Sequence, residues 1–136
     1  MSEKERSIVR VRDVMKTQLD IVDGLETVSD ALRKMKHVET KCLLVNKRHE
    51  DDEYGIVLLS DIARQVLAKN KAPQRVNIYE IMSKPVVAVD ADMDIRYCAR
   101  LFDRCGLSRA PVMDKCKLVG IVSYTDMVLK GMCKEF

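Results

Sequence analysis

The chain carries its own sequence twice. Shifted by 67 positions, Val14-Met15 meets Ile81-Met82 and Val22-Asp23 meets Val89-Asp90. Val28, Ala31, Leu32 and Met35 meet Ile95, Cys98, Ala99 and Phe102, and Leu43-Leu44-Val45 meets Ala110-Pro111-Val112. The offset then falls to 65, which places two extra residues in a loop of the first copy. Beyond that loop, Gly55-Ile56-Val57 meets Gly120-Ile121-Val122, and Ser60-Asp61 meets Thr125-Asp126. A match over about 50 positions with one loop insertion marks a tandem structural repeat.

Each copy reads as a lead-in turn, a strand, a helix, two strands and a second helix. The apolar spacing i, i+3, i+4, i+7 predicts helices over Val28–His37 and Ile95–Cys105, with Thr27 and Asp94 as their N-caps. Second helices are predicted over Ser60–Lys69 and Thr125–Lys134. Strands are expected near Asp20–Val22, Lys41–Asn46 and Tyr54–Leu58, and again near Val86–Val89, Arg109–Met113 and Lys117–Val122. Gly106 suits a helix stop. The charged stretch Lys47–Glu53 reads as a solvated hairpin loop. The organisation is therefore repeat 1 over 8–70, a linker over 71–77 and repeat 2 over 78–136. A half of about 60 residues cannot close a core alone. The expected fold is α/β in the α+β sense, with two β-α-β-β-α repeats packed about a pseudo-two-fold axis and the two matching Gly-to-Asp ends lining a shared cleft.

Composition sets outer bounds. The 136 residues suffice for one compact module, and a net charge of +3 is too small to argue for a nucleic-acid partner. Absence of an apolar run of about 18 residues argues against a membrane span, and no signal segment follows the first residues. Five cysteines without a C-x-x-C pair point to reduced thiols and a cytoplasmic location.

Chemistry concentrates at Gly120–Asp126. A strand there runs into a cluster of side-chain oxygens, and Ser123 with Asp126 forms an S-x-x-D capping box. A helix N-terminus presents unpaired N–H groups and partial positive charge, which suits phosphate. Two uses are open: capping alone, or capping combined with ligand binding.

This pattern resembles a tandem pair of CBS domains, the small regulatory repeats first named from cystathionine β-synthase, over about Val11 to Met132. The turns Arg12-Asp13-Val14-Met15 and Tyr79-Glu80-Ile81-Met82 fit the family's opening. Its ligand signature is glycine, two apolar residues, Thr or Ser, two variable residues and Asp. Gly120, Ile121, Val122, Ser123 and Asp126 meet it in full. The resemblance implies that Ser123 binds phosphate or ribose, that Asp126 accepts from the ribose hydroxyls, and that Thr125 adds a hydroxyl. Ser108-Arg109-Ala110-Pro111-Val112 matches the family's basic residue ahead of an apolar-Pro-Val strand, making Arg109 either a phosphate contact or a solvated residue at the strand's start. Val86, Ile121 and Pro111 are expected to wall the purine, with Lys84 in the same lead-in segment. The first copy departs from the signature, with Leu58 in the hydroxyl position and Cys42 opposite Arg109. Asp61, Ser60 and Lys41 remain as a weaker half-site.

Other chemistries lack their residues. His37 and His49 stand apart from any predicted nucleophile, and neither a P-loop nor a G-x-G-x-x-G is present. Catalytic and metal-ligating residues are therefore assigned to none. The expected function is a non-catalytic regulatory module that needs no cofactor and binds an adenosine-containing ligand. AMP, ADP and ATP come first, then S-adenosylmethionine or a dinucleotide such as NAD. Homodimerisation through the helices, an unidentified target protein, and no nucleic-acid or membrane partner complete the expectation. The alternative is a ligand-free structural dimerisation or interaction module.

Overall fold

The computed structural model describes residues 8–133, so the expected ends at Lys134 and Phe136 lie outside the described residues. The element order is α1 (Val11–Val14), β1 (Ile21–Val22), α2 (Val28–Lys34), β2 (Cys42–Val45), β3 (Gly55–Leu58), α3 (Leu59–Ile62), β4 (Val89–Asp90), α4 (Ile95–Cys105), β5 (Arg109–Asp114), β6 (Lys117–Ser123) and α5 (Tyr124–Asp126). Short 3-10 turns cover Val38–Thr40 and Ile78–Glu80. Two three-stranded sheets have the same plan. In each, the first strand pairs parallel with the second and the second antiparallel with the third, in the orders β1-β2-β3 and β4-β5-β6. The fold is the expected mixed α+β one.

The compact units do not follow the repeat boundaries. Among the described residues, one comprises 8–17 together with 87–133, and the other comprises 18–86. Each is built from the body of one repeat and the lead-in of the other. In the second-repeat unit, the Val11 N–H donates to the Met93 carbonyl at 2.8 Å and the Arg12 N–H to the Ala91 carbonyl at 2.9 Å. Val11 and Val14 are fully buried with Phe102, Cys98, Val112 and Val122. In the first-repeat unit, the Ile78 N–H donates to the Glu26 carbonyl and the Tyr79 N–H to the Gly24 carbonyl, both at 2.9 Å. Ile78 and Ile81 join Val28, Leu43 and Val57 in that unit's core. Within the segment 71–77, mostly exposed, Val76 is buried, and the Val76 and Pro73 carbonyls accept from the first amides of α2, Val28 at 2.8 Å and Ser29 at 3.1 Å.

Several elements differ from their sequence expectation for physical reasons. Helix α2 stops at Lys34 rather than His37. The Asp20 carboxylate accepts from the Lys36 and His37 amides at 2.9 and 2.8 Å, taking donors that a further turn would need. Val86 lies outside β4 and instead donates to the Tyr54 carbonyl at 3.3 Å. The two second helices open as one α turn and widen into π geometry over Ala63–Leu67 and Met127–Met132. In the first of these the Ala68 N–H reaches back to the Ala63 carbonyl at 2.8 Å. Helix α4 spans the predicted residues and ends on Gly106 at φ +69°, a conformation that costs other residues about 1–2 kcal/mol. Among the described residues no helix is long and apolar enough to cross a membrane.

Gly120 fixes the lead-in against its sheet. A Cβ there would fall 2.6 Å from the Lys16 carbonyl oxygen and 2.8 Å from Met15 Sδ. Gly120→Ala is expected to lower stability by about 1–3 kcal/mol, the usual cost of overpacking. Urea unfolding should show a lower midpoint at unchanged slope. Cysteine chemistry gives an independent check. Burial pushes the Cys98 thiol up to about 11, whereas Cys105 and Cys116 are exposed. Alkylation of the native protein near pH 8 should modify Cys105 and Cys116 while sparing Cys98 and Cys42, as read by peptide mass spectrometry.

Candidate functional site

The two strand-to-helix junctions share a backbone plan. The Leu59 N–H donates to the Lys41 carbonyl at 3.0 Å, and the Tyr124 N–H donates to the Ser108 carbonyl at 3.2 Å. Each bond ties the last strand of a copy to the start of the middle one. Asp61 and Asp126 then fall in the first helical turn, where a carboxylate can reach back to the preceding amide. Asp126 accepts from the Ser123 N–H at 3.0 Å. Asp61 accepts from the Leu58 N–H at 2.9 Å. Both acids are buried.

The second junction is the fuller one. The Ser123 hydroxyl donates to Asp126 Oδ2 at 3.0 Å and accepts from the Asp126 N–H at 3.2 Å, so cap and acid hold each other in place. Leu58 can do neither at the first junction. Cross-strand register puts Arg109 opposite Ser123 and Pro111 opposite Ile121. Alternation along β5 and β6 sends these four to one face, away from Ala110, Val112 and Val122 in the core. Pro111 and Ile121 are buried, Arg109 is half-buried, and Thr125 is exposed on the first helical turn. Six of the eight residues read from the second-repeat motif thus share one unit.

Lys84 and Val86 lie in the other compact unit. Both belong to the first-repeat unit with Lys41, Ser60 and Asp61. The Lys84 ammonium donates to Asp52 at 2.8 Å. Lys41 sits in the left-handed region at φ 57° with its side chain exposed, and Ser60 is exposed as well. Asp61 pairs with Arg64 one turn along.

The residue that motif reading missed is Lys16. Its backbone forms a two-way bridge with Ile121, N–H to carbonyl at 2.8 and 2.9 Å, which Gly120 permits. Its ammonium consequently reaches Asp126 Oδ1, with Lys130 behind it at 3.7 Å. The signal was in the sequence as a positional contrast: the residue after Val14-Met15 is Lys16, whereas the residue after Ile81-Met82 is Ser83. The result is a buried carboxylate bounded by a hydroxyl, two ammonium groups and a helix N-terminus. Such a set can hold vicinal hydroxyls and an anionic group together. Among the described residues, no group of three or more His, Cys, Asp or Glu side chains could hold a metal ion.

Comparison with known proteins gives the family and the fold. The CBS domain family matches residues 11–68 and 78–131, and the chain belongs to that family as a tandem pair. It is similar to a hexameric CBS-CP12 protein from bloom-forming cyanobacteria, at 37% identity and a TM-score of 0.85, over 90% of this chain and 71% of that one. An uncharacterized protein of Methanopyrus kandleri is 31% identical over 80% of this chain, which spans 57% of that relative's length. The CBS domain pair of protein MJ0100, solved with 5′-methylthioadenosine and S-adenosyl-L-methionine, has a TM-score of 0.77 at 25% identity and covers 94% of this chain and 99% of that one.

Removal of either partner at the second junction should cost stability. Ser123→Ala removes a cap and strips one donor from a buried acid, for an expected loss of about 1–3 kcal/mol. Lys16→Met keeps the aliphatic stem and takes the nearer of two ammonium groups from Asp126, leaving Lys130 at 3.7 Å beside the Ser123 donors, with a comparable loss. The double variant should lose less than the sum, because both side chains serve one carboxylate. Urea unfolding of the four proteins measures that coupling.

Proposed function

We propose that this CBS pair is a non-catalytic regulatory module whose second-repeat junction binds an adenosine-containing ligand. AMP, ADP and ATP are placed ahead of S-adenosylmethionine and NAD. The observation that carries the reading is Asp126, a buried acid held between Ser123 and Lys16 at a helix N-terminus. Asp126 would accept from ribose hydroxyls, and Ser123, Thr125 and Arg109 would face phosphate. A related CBS pair that takes methylthioadenosine and S-adenosylmethionine supports the adenosine class. The cationic surroundings of Asp126 favour the phosphorylated members of that class. Ligand would act by favouring one conformation of the pair, with a homodimer partner or target protein reading the shift. Exposed Tyr97, Leu129 and Met132 offer an apolar helical surface for dimerisation.

A second reading has its own observation. Leu58 removes the hydroxyl from the first junction, and Lys16 already satisfies one oxygen of Asp126 at the second. A structural dimerisation module with no small-molecule ligand would have this form.

Calorimetric titration of the full chain with AMP, ATP, NAD and S-adenosylmethionine separates the readings. Saturable binding that weakens by about tenfold or more in Asp126→Ala is expected for a lost hydrogen bond to a charged group. No heat from any of the four up to millimolar concentration would leave the dimerisation module.

A further inference from the structure

We propose that the first-repeat unit holds a site for a monoanionic ligand with an apolar body, at the end of its sheet opposite the Leu58–Asp61 junction. In the β2–β3 ladder Cys42 faces Leu58 at one end and Val45 faces Gly55 at the other. At the Val45 end lies a cavity of about 680 Å³, within the size range of small-molecule sites. Its walls come from the turn after β1, the end of β2 and the Tyr79–Lys84 segment.

Two glycines bear on its walls. At Gly55 a Cβ would lie 2.9 Å from Met82 Sδ, so the missing side chain lets Met82 fold against the sheet as part of the floor. At Gly24 a Cβ would meet Val45 and Tyr79 at 3.5 Å each, so this position looks directly along the wall. Val45 is buried, while Leu25 and Tyr79 at the rim are 76% and 51% exposed. Large apolar side chains left in water around a concave apolar floor are what a bound apolar group would cover.

Charge then selects the head group. Lys47, Arg48 and Lys84 line the cavity, against Asp23. Asp52, whose side chain is 8% exposed, tethers two of these cations: Arg48 Nε donates to it at 3.0 Å and Lys84 Nζ at 2.8 Å. Those two donors hold its carboxyl well below the usual carboxylate range. The Lys47 ammonium rests over the Tyr54 ring, 5.1 Å from its centroid. The rim is therefore preorganised, with three cations against two carboxylates. One net positive charge matches a carboxylate, and it is too little for a di- or triphosphate. Among the described residues Arg48 spends only its Nε on Asp52, which leaves terminal N–H groups for a bidentate carboxylate contact.

Amide NMR titration of the full chain tests the assignment, with octanoate as the probe and octanamide and octylammonium as controls. Octanoate should shift the amides of Gly24, Leu25, Val45, Asn46 and Tyr79, and bind about tenfold or more tighter than octanamide. Lys84→Met should reduce octanoate to the octanamide level, and Gly24→Phe should abolish both, with the spectra themselves reporting that each variant is folded. Equal affinity for octanoate and octanamide would overturn the proposal, as would shifts confined to residues away from the cavity. Shifts of these amides with protein concentration alone would assign the rim to a second copy of the chain, and would overturn it too.

Discussion

The structure depends on a backbone contact two residues long. Lys16 and Ile121 exchange N–H donors, and they can do so only because Gly120 has no side chain in the path of the Lys16 carbonyl. That contact carries the lead-in of the first repeat onto the sheet of the second. It closes the core over Phe102 with Val11 and Val14. It also delivers an ammonium group to the buried Asp126. Fold closure and site electrostatics thus share one cause. The first-repeat unit uses the same device, since Ile56 and Ser83 bridge in both directions at 2.9 and 3.0 Å while Gly55 makes room for Met82. There the following chemistry differs, because Ser83 brings no charge to Asp61.

The two junctions therefore diverge by side chain on a common backbone. Where the second has Ser123, Arg109 and Lys16, the first has Leu58, Cys42 and Ser83. A buried acid must find donors, and each solves that locally. Asp126 takes its hydroxyl from the preceding strand and its ammonium from the lead-in. Asp61 takes a guanidinium from Arg64 on its own helix and a backbone N–H from Leu58. Duplication preserved the geometry of the junctions and released one of them from the polar contacts of the signature. The first unit carries a second cluster of cationic side chains at the far end of the sheet, around Asp52.

Much of this was readable from residue order alone. Repeat periodicity gave both sheets, the full span of α4 and its stop at Gly106, because amphipathic spacing and a left-handed cap are local properties. The S-x-x-D pattern gave the capping box at Ser123 and Asp126 for the same reason. What escaped was everything set by contacts distant in sequence. Asp20 ends α2 from 16 residues away. Lys16 reaches Asp126 across 110 residues. Lys84 and Val86 lie within the second repeat by sequence yet belong to the first-repeat unit, since a repeat boundary marks where similarity restarts and not where packing does. The stretch 71–77 lies between the two family matches, and its Pro73 and Val76 carbonyls also accept from the first amides of α2, a contact that residue order did not show.

The seating of the lead-in is tested most directly by native-state amide hydrogen exchange. Lys16 and Ile121 have their N–H groups in one reciprocal bridge, so their amides should exchange at a common slow rate, close to that of Val122 in the core strand. Exchange of the Lys16 amide at the rate of an unstructured chain, with Ile121 unprotected beside a protected Val122, would contradict the account. In that case the lead-in would not be held on the second-repeat sheet, and nothing would fix an ammonium beside Asp126.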